Sequence, residues 1–130
     1  MIVLDASAAF EWLFETPTGV RVDERIISRA ESLHAPHLID VEVAQVLRRY
    51  AALGIVTASR ARGALQDLID LRLVRYAHDL LLPRIWELRE NFTTYDAAYV
   101  ALAETLGAPL VTCDRKIASA SFHHARVELI

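Results

Sequence analysis

The sequence predicts an α/β fold with a mostly parallel sheet, because short apolar segments alternate with longer segments whose apolar residues recur at helical spacing. The chain has 130 residues, of which 54% are hydrophobic and 24% are charged, a composition typical of a folded protein rather than a disordered one. No internal repeat or linker rich in Gly, Ser or Pro divides it. We therefore expect a single domain over residues 1–130.

The first half of the chain predicts two strands and four helices. The apolar run Ile2-Val3-Leu4 at the start favours a strand, and residues 34–36 a short second one. The helical spacing of apolar residues, with breaks at Pro17 and Gly19, predicts helices over 8–13, 22–33, 40–53 and 57–71. Gly54 is placed to end the third of these helices.

The second half predicts the rest of the sheet. Strands are expected over 73–76, 110–112 and 127–130, and helices over 83–90 and 93–106. Pro83 is suited to the start of the first of these helices, and Gly107 to the end of the second.

Composition excludes several classes of protein. Cys113 is the only cysteine, so neither an internal disulfide nor a cluster of thiolate metal ligands is expected. No apolar run approaches the ~20 residues of a membrane span, and the first residues lack the pattern of a signal peptide, so we expect a cytosolic protein with no membrane association. A net charge of −3 does not by itself indicate a nucleic-acid binder, but a local basic patch would suffice for one.

Four acidic residues are predicted to meet at one edge of the sheet. Asp5 directly follows the first strand, and Asp114 follows the fourth. Glu42 and Asp96 fall in the first turns of helices that begin at the same edge. In open α/β sheets ligands bind outside the carboxyl ends of the strands, so this is the edge where a functional site is expected.

Carboxylates this close repel one another unless a cation lies between them. Oxygen ligands favour Mg²⁺, with Mn²⁺ as a substitute, over zinc. One or two such ions can activate water and stabilise the leaving oxygen of a phosphodiester. The residues therefore predict metal-assisted phosphodiester hydrolysis. No Ser-His-Asp or Cys-His arrangement competes with this interpretation.

The same four acids, taken with their neighbours, resemble the acidic motifs of PIN-domain ribonucleases. The chain is similar in particular to the VapC-type toxins of bacterial toxin–antitoxin pairs, over nearly its whole length. The segments that carry the resemblance are Ile2-Val3-Leu4-Asp5-Ala6-Ser7-Ala8, the run 36–47 around Glu42, Thr94-Tyr95-Asp96-Ala97-Ala98-Tyr99-Val100-Ala101-Leu102-Ala103, and Leu110-Val111-Thr112-Cys113-Asp114.

The resemblance implies a three-layer α/β/α sandwich, an Mg²⁺-dependent ribonuclease activity and a VapB-like antitoxin that occupies the site. It implies that Asp5 and Asp96 are the most direct metal ligands, and that Glu42 and Asp114 complete the acidic pocket. Ser7 and Thr112 fall where family members often carry small hydroxyl residues beside the metal. Residues 115–118 lack a further acid that some members have there, which leaves a second metal ion in doubt.

Each acid also has a structural explanation. Asp96 lies three residues after Thr93, the spacing of a capping box. Asp40 lies two residues before Glu42 and so points to another side of the helix; we expect Asp40 to be the helix cap and Glu42 to face the site. Asp114 is also placed to cap a short helix over 115–119.

Three further expectations concern partners. Arg115 and Lys116 follow the predicted catalytic edge and are the best placed cations for contact with an RNA backbone; Arg49, on nearly the same helix face as Glu42, is a weaker candidate. The apolar residues of helix 40–53 exceed what one core needs and suggest a homodimer.

Two other functions stay open at this stage. A phosphatase or dehalogenase-like hydrolase would have a second Asp two residues after the first, where this chain has Ser7. A catalytically inactive domain that binds only RNA or a protein partner is the remaining alternative, although none of the four acids is missing.

Overall fold

The computed structural model describes all residues from Met1 to Ile130. It contains a five-stranded sheet and seven helices. The strands are β1 (Ile2–Leu4), β2 (Leu33–Pro36), β3 (Leu73–Tyr76), β4 (Leu110–Thr112) and β5 (Val127–Leu129). The helices are α1 (Ala6–Leu13), α2 (Pro17–Ile27), α3 (Leu38–Ala52), α4 (Ala58–Asp70), α5 (Leu82–Glu87), α6 (Thr94–Leu106) and α7 (Arg115–Ser119).

The sheet is entirely parallel, in the order β3-β2-β1-β4-β5. From β1 the chain moves outward through β2 to β3, then returns across the sheet to β4 on the other side of β1. Because such connections are right-handed, this reversal of direction places α5, α6 and α7 on the opposite face from α1 to α4. The packing agrees, since α1 contacts α2 and α3, α3 contacts α4, and α5 contacts α6. The predicted three-layer α/β/α sandwich is confirmed.

The core surrounds the two central strands. Every residue of β1 and of β4 is buried, as is the continuous segment Ala97 to Ala103 of α6. A parallel sheet covered on both faces requires such uninterrupted apolar strands. The reversal of strand order lies between β1 and β4, so the carboxyl ends of these strands frame the crevice where α/β folds bind ligands.

The chain diverges from the predicted elements at several helix ends. Helix α1 begins at Ala6 rather than residue 8, and α2 begins at Pro17, although Pro17 and Gly19 were expected to interrupt helical structure. Proline suits the first helical position, because the N–H that it lacks would have no partner there.

Helix α2 ends at Ile27 rather than near Leu33, because Leu33 pairs in the sheet with Ile2 on one side and Leu73 on the other. Helix α3 begins at Leu38, ahead of Asp40, and α5 ends at Glu87 rather than Glu90. Pairing in the sheet outweighed the helical spacing of α2, a tertiary effect on a weak local preference.

None of the helices has both the length and the hydropathy that crossing a membrane would require.

Candidate active site

Asp5 lies at the centre of the carboxyl edge. It follows β1 directly, is 4% exposed, and is the N-cap of α1. Its Oδ2 accepts hydrogen bonds from the backbone N–H of Ser7 at 3.3 Å and from the Thr112 hydroxyl at 2.8 Å, and also from the Ser7 hydroxyl. All these bonds end on Oδ2, so Oδ1 is the oxygen left to face a cation.

Two backbone N–H groups hold the hydroxyls of Ser7 and Thr112. The Ser7 hydroxyl oxygen accepts from the N–H of Cys113, and that of Thr112 accepts from the N–H of Asp114, both at 3.0 Å. Both hydroxyls donate to Oδ2 of Asp5, and their oxygens lie 3.2 Å from each other. The resemblance implied that these two hydroxyls lie beside a metal ion; the structure places both against Asp5. They connect β1 to the loop after β4.

Glu42 projects from α3 toward Asp5 and Asp96. Its Oε2 accepts a hydrogen bond of 2.5 Å from the hydroxyl of Tyr99, a fully buried residue of α6. Burial, first, and the neighbouring charge of Glu42, second, raise the pKa of Tyr99 far above its usual value, so the phenol keeps its proton and always donates. Sequence reasoning did not single out Tyr99, although it lies one helical turn after Asp96 and therefore on nearly the same face.

Asp96 lies in the first turn of α6. The N-cap of this helix is Thr93, whose hydroxyl oxygen accepts from the N–H of Asp96 at 3.1 Å. The capping spacing noted in the sequence is therefore real. A hydrogen bond from Thr93 lowers the pKa of the Asp96 carboxyl, whereas the charges of Asp5 and Asp114 raise it.

Asp114 has both of its expected features. Its Oδ1 accepts from the N–H of Lys116 at 2.7 Å and caps α7. It also lies close enough to Asp96 for its charge to raise the pKa of that residue. Arg115 and Lys116 are exposed at the start of α7, and the charge of Lys116 lowers the pKa of Asp96. The predicted cations thus lie at the same edge as the acids.

We refer to Asp5, Glu42, Asp96 and Asp114 as the acidic cluster. Burial is the largest cause that raises the pKa of Asp5, Glu42 and Asp96. Mutual repulsion adds to it, because the charges of Asp5 and Asp96 raise the pKa of Glu42, and that of Asp5 raises the pKa of Asp96. Hydrogen bonds from Ser7 and Tyr99 act in the opposite direction.

Asp40 corrects one detail of the sequence analysis. It was expected to cap α3, but it lies within the first turn, and the single Nε–H of Arg75 is shared between its two carboxylate oxygens, at 2.8 and 3.0 Å. The N-cap of α3 is His37, which makes no side-chain capping bond. The ion pair to β3 turns Asp40 away from Glu42, and only Glu42 joins the acidic cluster, as predicted.

The acidic cluster fits a divalent cation by the chemistry of its oxygens. No three His, Cys, Asp or Glu side chains converge on a single metal position. Mg²⁺ is commonly held by one or two carboxylates with water completing its shell, so it needs no such convergence. Interacting carboxylates with raised pKa values, one of which keeps a free oxygen, favour binding of a cation that would relieve their repulsion.

Comparison with known proteins places this chain in a family. The model of the PIN domain family matches residues 2–123. Ribonuclease VapC12 of Mycobacterium tuberculosis is 39% identical over 130 residues, which cover 100% of this chain and 99% of that protein. Ribonuclease VapC9 of the same species is 45% identical over 117 residues, which cover 90% of this chain and 88% of the relative. The chain belongs to the PIN-domain family and, within it, to the VapC ribonucleases.

Solved structures agree on the fold. A crystal structure of a protein from Pyrobaculum aerophilum is 28% identical, with a TM-score of 0.69, and covers 97% of this chain and 81% of its own. The structure of M. tuberculosis VapC20, described as a Sarcin-Ricin loop cleaving toxin, has a TM-score of 0.67 at 15% identity and covers 97% of this chain and 99% of its own. At that identity the likeness to VapC20 supports the fold alone.

Proposed function

We propose that the chain is an Mg²⁺-dependent endoribonuclease, in which Mn²⁺ substitutes for Mg²⁺, and that it is the toxin of a type II toxin–antitoxin pair. The observation that supports it most is the acidic cluster at the reversal of strand order, built from four separate segments and holding carboxylates of raised pKa. The relatives named as VapC ribonucleases support RNA as the substrate.

In this proposal Asp5 and Asp96 bind the metal directly, and Glu42 and Asp114 complete the pocket. When bound, the divalent ion would lower the pKa of an attacking water and would place positive charge near the phosphoryl oxygens. Ser7 and Thr112 hold the Asp5 carboxylate in one orientation, because both donate to its Oδ2. Arg115 and Lys116 contact the RNA backbone beside the cluster.

The reaction is hydrolysis. Water attacks phosphorus in line, the bond to the 3′ oxygen breaks, and that oxygen takes up a proton. The products are a 5′-phosphate and a 3′-hydroxyl. A 2′,3′-cyclic phosphate would contradict this mechanism, since it requires attack by the ribose hydroxyl.

Cleavage of a mixed cellular RNA preparation tests the proposal. The purified chain is incubated with Mg²⁺ or Mn²⁺, with EDTA, and as the variants Asp96→Asn and Asp67→Asn. Asp67 is an exposed acid of α4 far from the cluster in the fold and serves as the matched control. We expect discrete fragments with wild type and Asp67→Asn, and none with EDTA or Asp96→Asn. A preparation free of antitoxin that cleaves nothing with any metal would overturn the proposal in favour of a binding domain.

Two partners belong to the same proposal. A VapB-like antitoxin inhibits the enzyme by occupying the acidic cluster. Both proteins are located in the cytoplasm, where the RNA substrate is present. The chain itself forms a homodimer through apolar side chains exposed on its helices, among them Val41 of α3, 64% exposed, and Trp86 of α5, 69% exposed. Light scattering that reports a monomer at micromolar concentration would contradict the dimer.

A further inference from the structure

A groove of about 540 Å³ opens from the acidic cluster and runs between α1 and α3. Glu42, a member of the cluster, lines its near end together with Ser7, whose hydroxyl bonds Asp5. We call it the α1–α3 groove. Its walls are mainly apolar and aromatic, and its volume falls in the range of small-molecule sites.

Tyr95 forms the rim of the groove at the end nearest the cluster. It directly precedes Asp96, and it is 60% exposed. Its hydroxyl has no hydrogen-bond partner in the protein, and its ring packs on no other aromatic ring, unlike Phe10 and Tyr50 deeper in the groove, which meet edge to face at 5.1 Å. The ring of Tyr95 is therefore free to stack against a ligand beside the acidic cluster.

Arg49 supplies positive charge at the far end. It lies seven residues after Glu42 on α3, about 10 Å along the helix. The side chain is exposed, forms no salt bridge, and extends over the ring of Tyr50 at 5.8 Å from its centre. Two acids line the groove: Glu42 accepts a hydrogen bond from Tyr99, and Glu11 accepts one from the hydroxyl of Thr16. Arg49 thus has no anionic partner within the protein.

Gln45 lies between these two ends. Its Oε1 accepts from Nε of Arg48 at 3.0 Å, which orients the amide and leaves its NH₂ group as a free donor at the groove wall. The groove therefore offers, in order from the acidic cluster, a free aromatic face, an amide donor and an unpaired cation.

We propose that the α1–α3 groove binds the RNA nucleotide next to the scissile phosphate, with its base stacked on Tyr95 and the phosphate beyond it paired with Arg49. The inference rests on the proposed ribonuclease function. An aromatic face suits any base, and a cation two helical turns along α3 from Glu42 suits a phosphate on the same strand. Gln45 donates to an acceptor on the base or the ribose.

The phosphate contact is tested by binding of a fluorescein-labelled random-sequence 12-nucleotide RNA to protein that carries Asp96→Asn, so that nothing is cleaved. Arg49→Ala is compared with Arg62→Ala, an exposed arginine of α4 outside the groove and without an ion pair. We expect Arg49→Ala to weaken affinity about ten-fold and to lower the salt dependence of log K by about 0.7, the contribution of one phosphate contact on a single strand. Arg62→Ala should leave both quantities nearly unchanged. Equal effects of the two variants would overturn the proposal.

The stacking contact is tested in the same background by Tyr95→Ala and Tyr95→Phe, against the random RNA and against an abasic strand of the same length. We expect Tyr95→Ala to weaken binding of the random RNA about ten-fold. It should not change binding of the abasic strand, and Tyr95→Phe should behave as wild type. A loss of equal size on both strands would contradict a base contact.

The two proposals fail in different ways. If the otherwise unmodified chain neither cleaves nor binds RNA, the ribonuclease function itself fails. If it cleaves RNA while Arg49→Ala and Tyr95→Ala match wild type in affinity and in kcat/KM, only the nucleotide subsite fails, and the groove serves a protein partner instead.

Discussion

The hydroxyl of Tyr99 donates to Oε2 of Glu42 across a separation of 57 residues, at 2.5 Å. Tyr99 belongs to α6 and Glu42 to α3, which lie on opposite faces of the sheet. The bond therefore joins the two helical layers above the carboxyl edge. It also fixes the orientation of one member of the acidic cluster through a residue that is itself fully buried.

Loss of this bond should weaken metal binding more than it weakens the fold. In Tyr99→Phe the ring remains but Glu42 loses its donor, so its carboxylate is no longer oriented and its pKa rises further. We expect the Mg²⁺ concentration at half-maximal cleavage to rise by about 10- to 100-fold. The free energy of unfolding should fall by only about 1–2 kcal/mol.

The matched control for that variant is Tyr76→Phe, which removes a hydroxyl bonded to Nδ1 of His34 at 2.8 Å, away from the acidic cluster. Its Mg²⁺ dependence should equal that of wild type. If both variants shift the Mg²⁺ dependence alike, Tyr99 has no particular role in positioning Glu42.

The stability of the metal-free chain should depend on pH through the acidic cluster. Asp5, Glu42 and Asp96 have raised pKa values in the folded chain, chiefly through burial. The unfolded chain releases these protons more readily, so the stability contributed by the protonated groups is present below about pH 4 and is lost as the pH rises through the raised values. Asp5→Asn has no ionisable group at this position, so it does not lose the part of the stability that wild type loses when Asp5 ionises.

We therefore expect Asp5→Asn in EDTA to become progressively more stable than wild type as the pH rises above about 4 and through the raised pKa of Asp5. Urea unfolding at a series of pH values measures the difference. Asp67→Asn, at an exposed position, should show no such trend. A difference between Asp5→Asn and wild type that stays constant with pH would contradict the raised pKa of Asp5.

Addition of Mg²⁺ should offset the repulsion among the carboxylates of the acidic cluster and so stabilise the folded chain. A ligand that binds only the folded chain stabilises it by about 2.7 kcal/mol at a hundred-fold excess over its Kd. We expect a rise in Tm with Mg²⁺ or Mn²⁺ in wild type that is lost in Asp96→Asn. Equal shifts in both proteins would place the bound cation elsewhere.

Close packing of α1 on α2 should be sensitive to a single methyl group. A Cβ added at Gly19 would lie 2.0 Å from the carbonyl oxygen of Glu11, a contact that the two backbones must move apart to relieve. We expect Gly19→Ala to destabilise the fold by about 1–3 kcal/mol or more. Because α1 also carries Ser7, activity should fall as well.

Gly63 provides the opposite case for the same substitution. It lies within α4, and a Cβ there meets no atom within 4 Å. Gly63→Ala should stabilise the chain by about 0.5–1 kcal/mol, because alanine loses less conformational freedom in a helix. The midpoints of urea unfolding compare both variants with wild type, and a destabilised Gly63→Ala would show that α4 is not a regular helix there.

Much of the fold could be predicted because its signals are local. The strands from Ile2, Leu73 and Leu110 follow from short apolar runs, and α6 follows from Thr93 as its cap and Gly107, at φ 59°, as its end. The convergence of the acidic cluster could be predicted for a related reason. In a parallel sheet all strands end at one edge, so an acid after a strand and an acid in the first turn of the next helix share that edge.

Contacts between distant segments decided the rest. Leu33 has the spacing of a helix residue, but pairing with β1 and β3 placed it in a strand. Asp40 is a residue type that favours the N-cap of a helix, but its carboxylate pairs with Arg75 of β3 and caps no helix. Sequence spacing indicates neither contact, because the strands that supply the partner residues are distant along the chain.

The sequence by itself determined the class of fold, the edge that carries the site and four of its acids. The tertiary structure decided how those acids are held: which hydroxyls bond Asp5, that Tyr99 orients Glu42, and that a groove with Tyr95 and Arg49 leads away from the cluster. The physical reason is that caps, periodicity and strand ends act within a few residues of the chain. Hydrogen bonds and grooves between α1, α3 and α6 exist only once the sheet has brought those helices together.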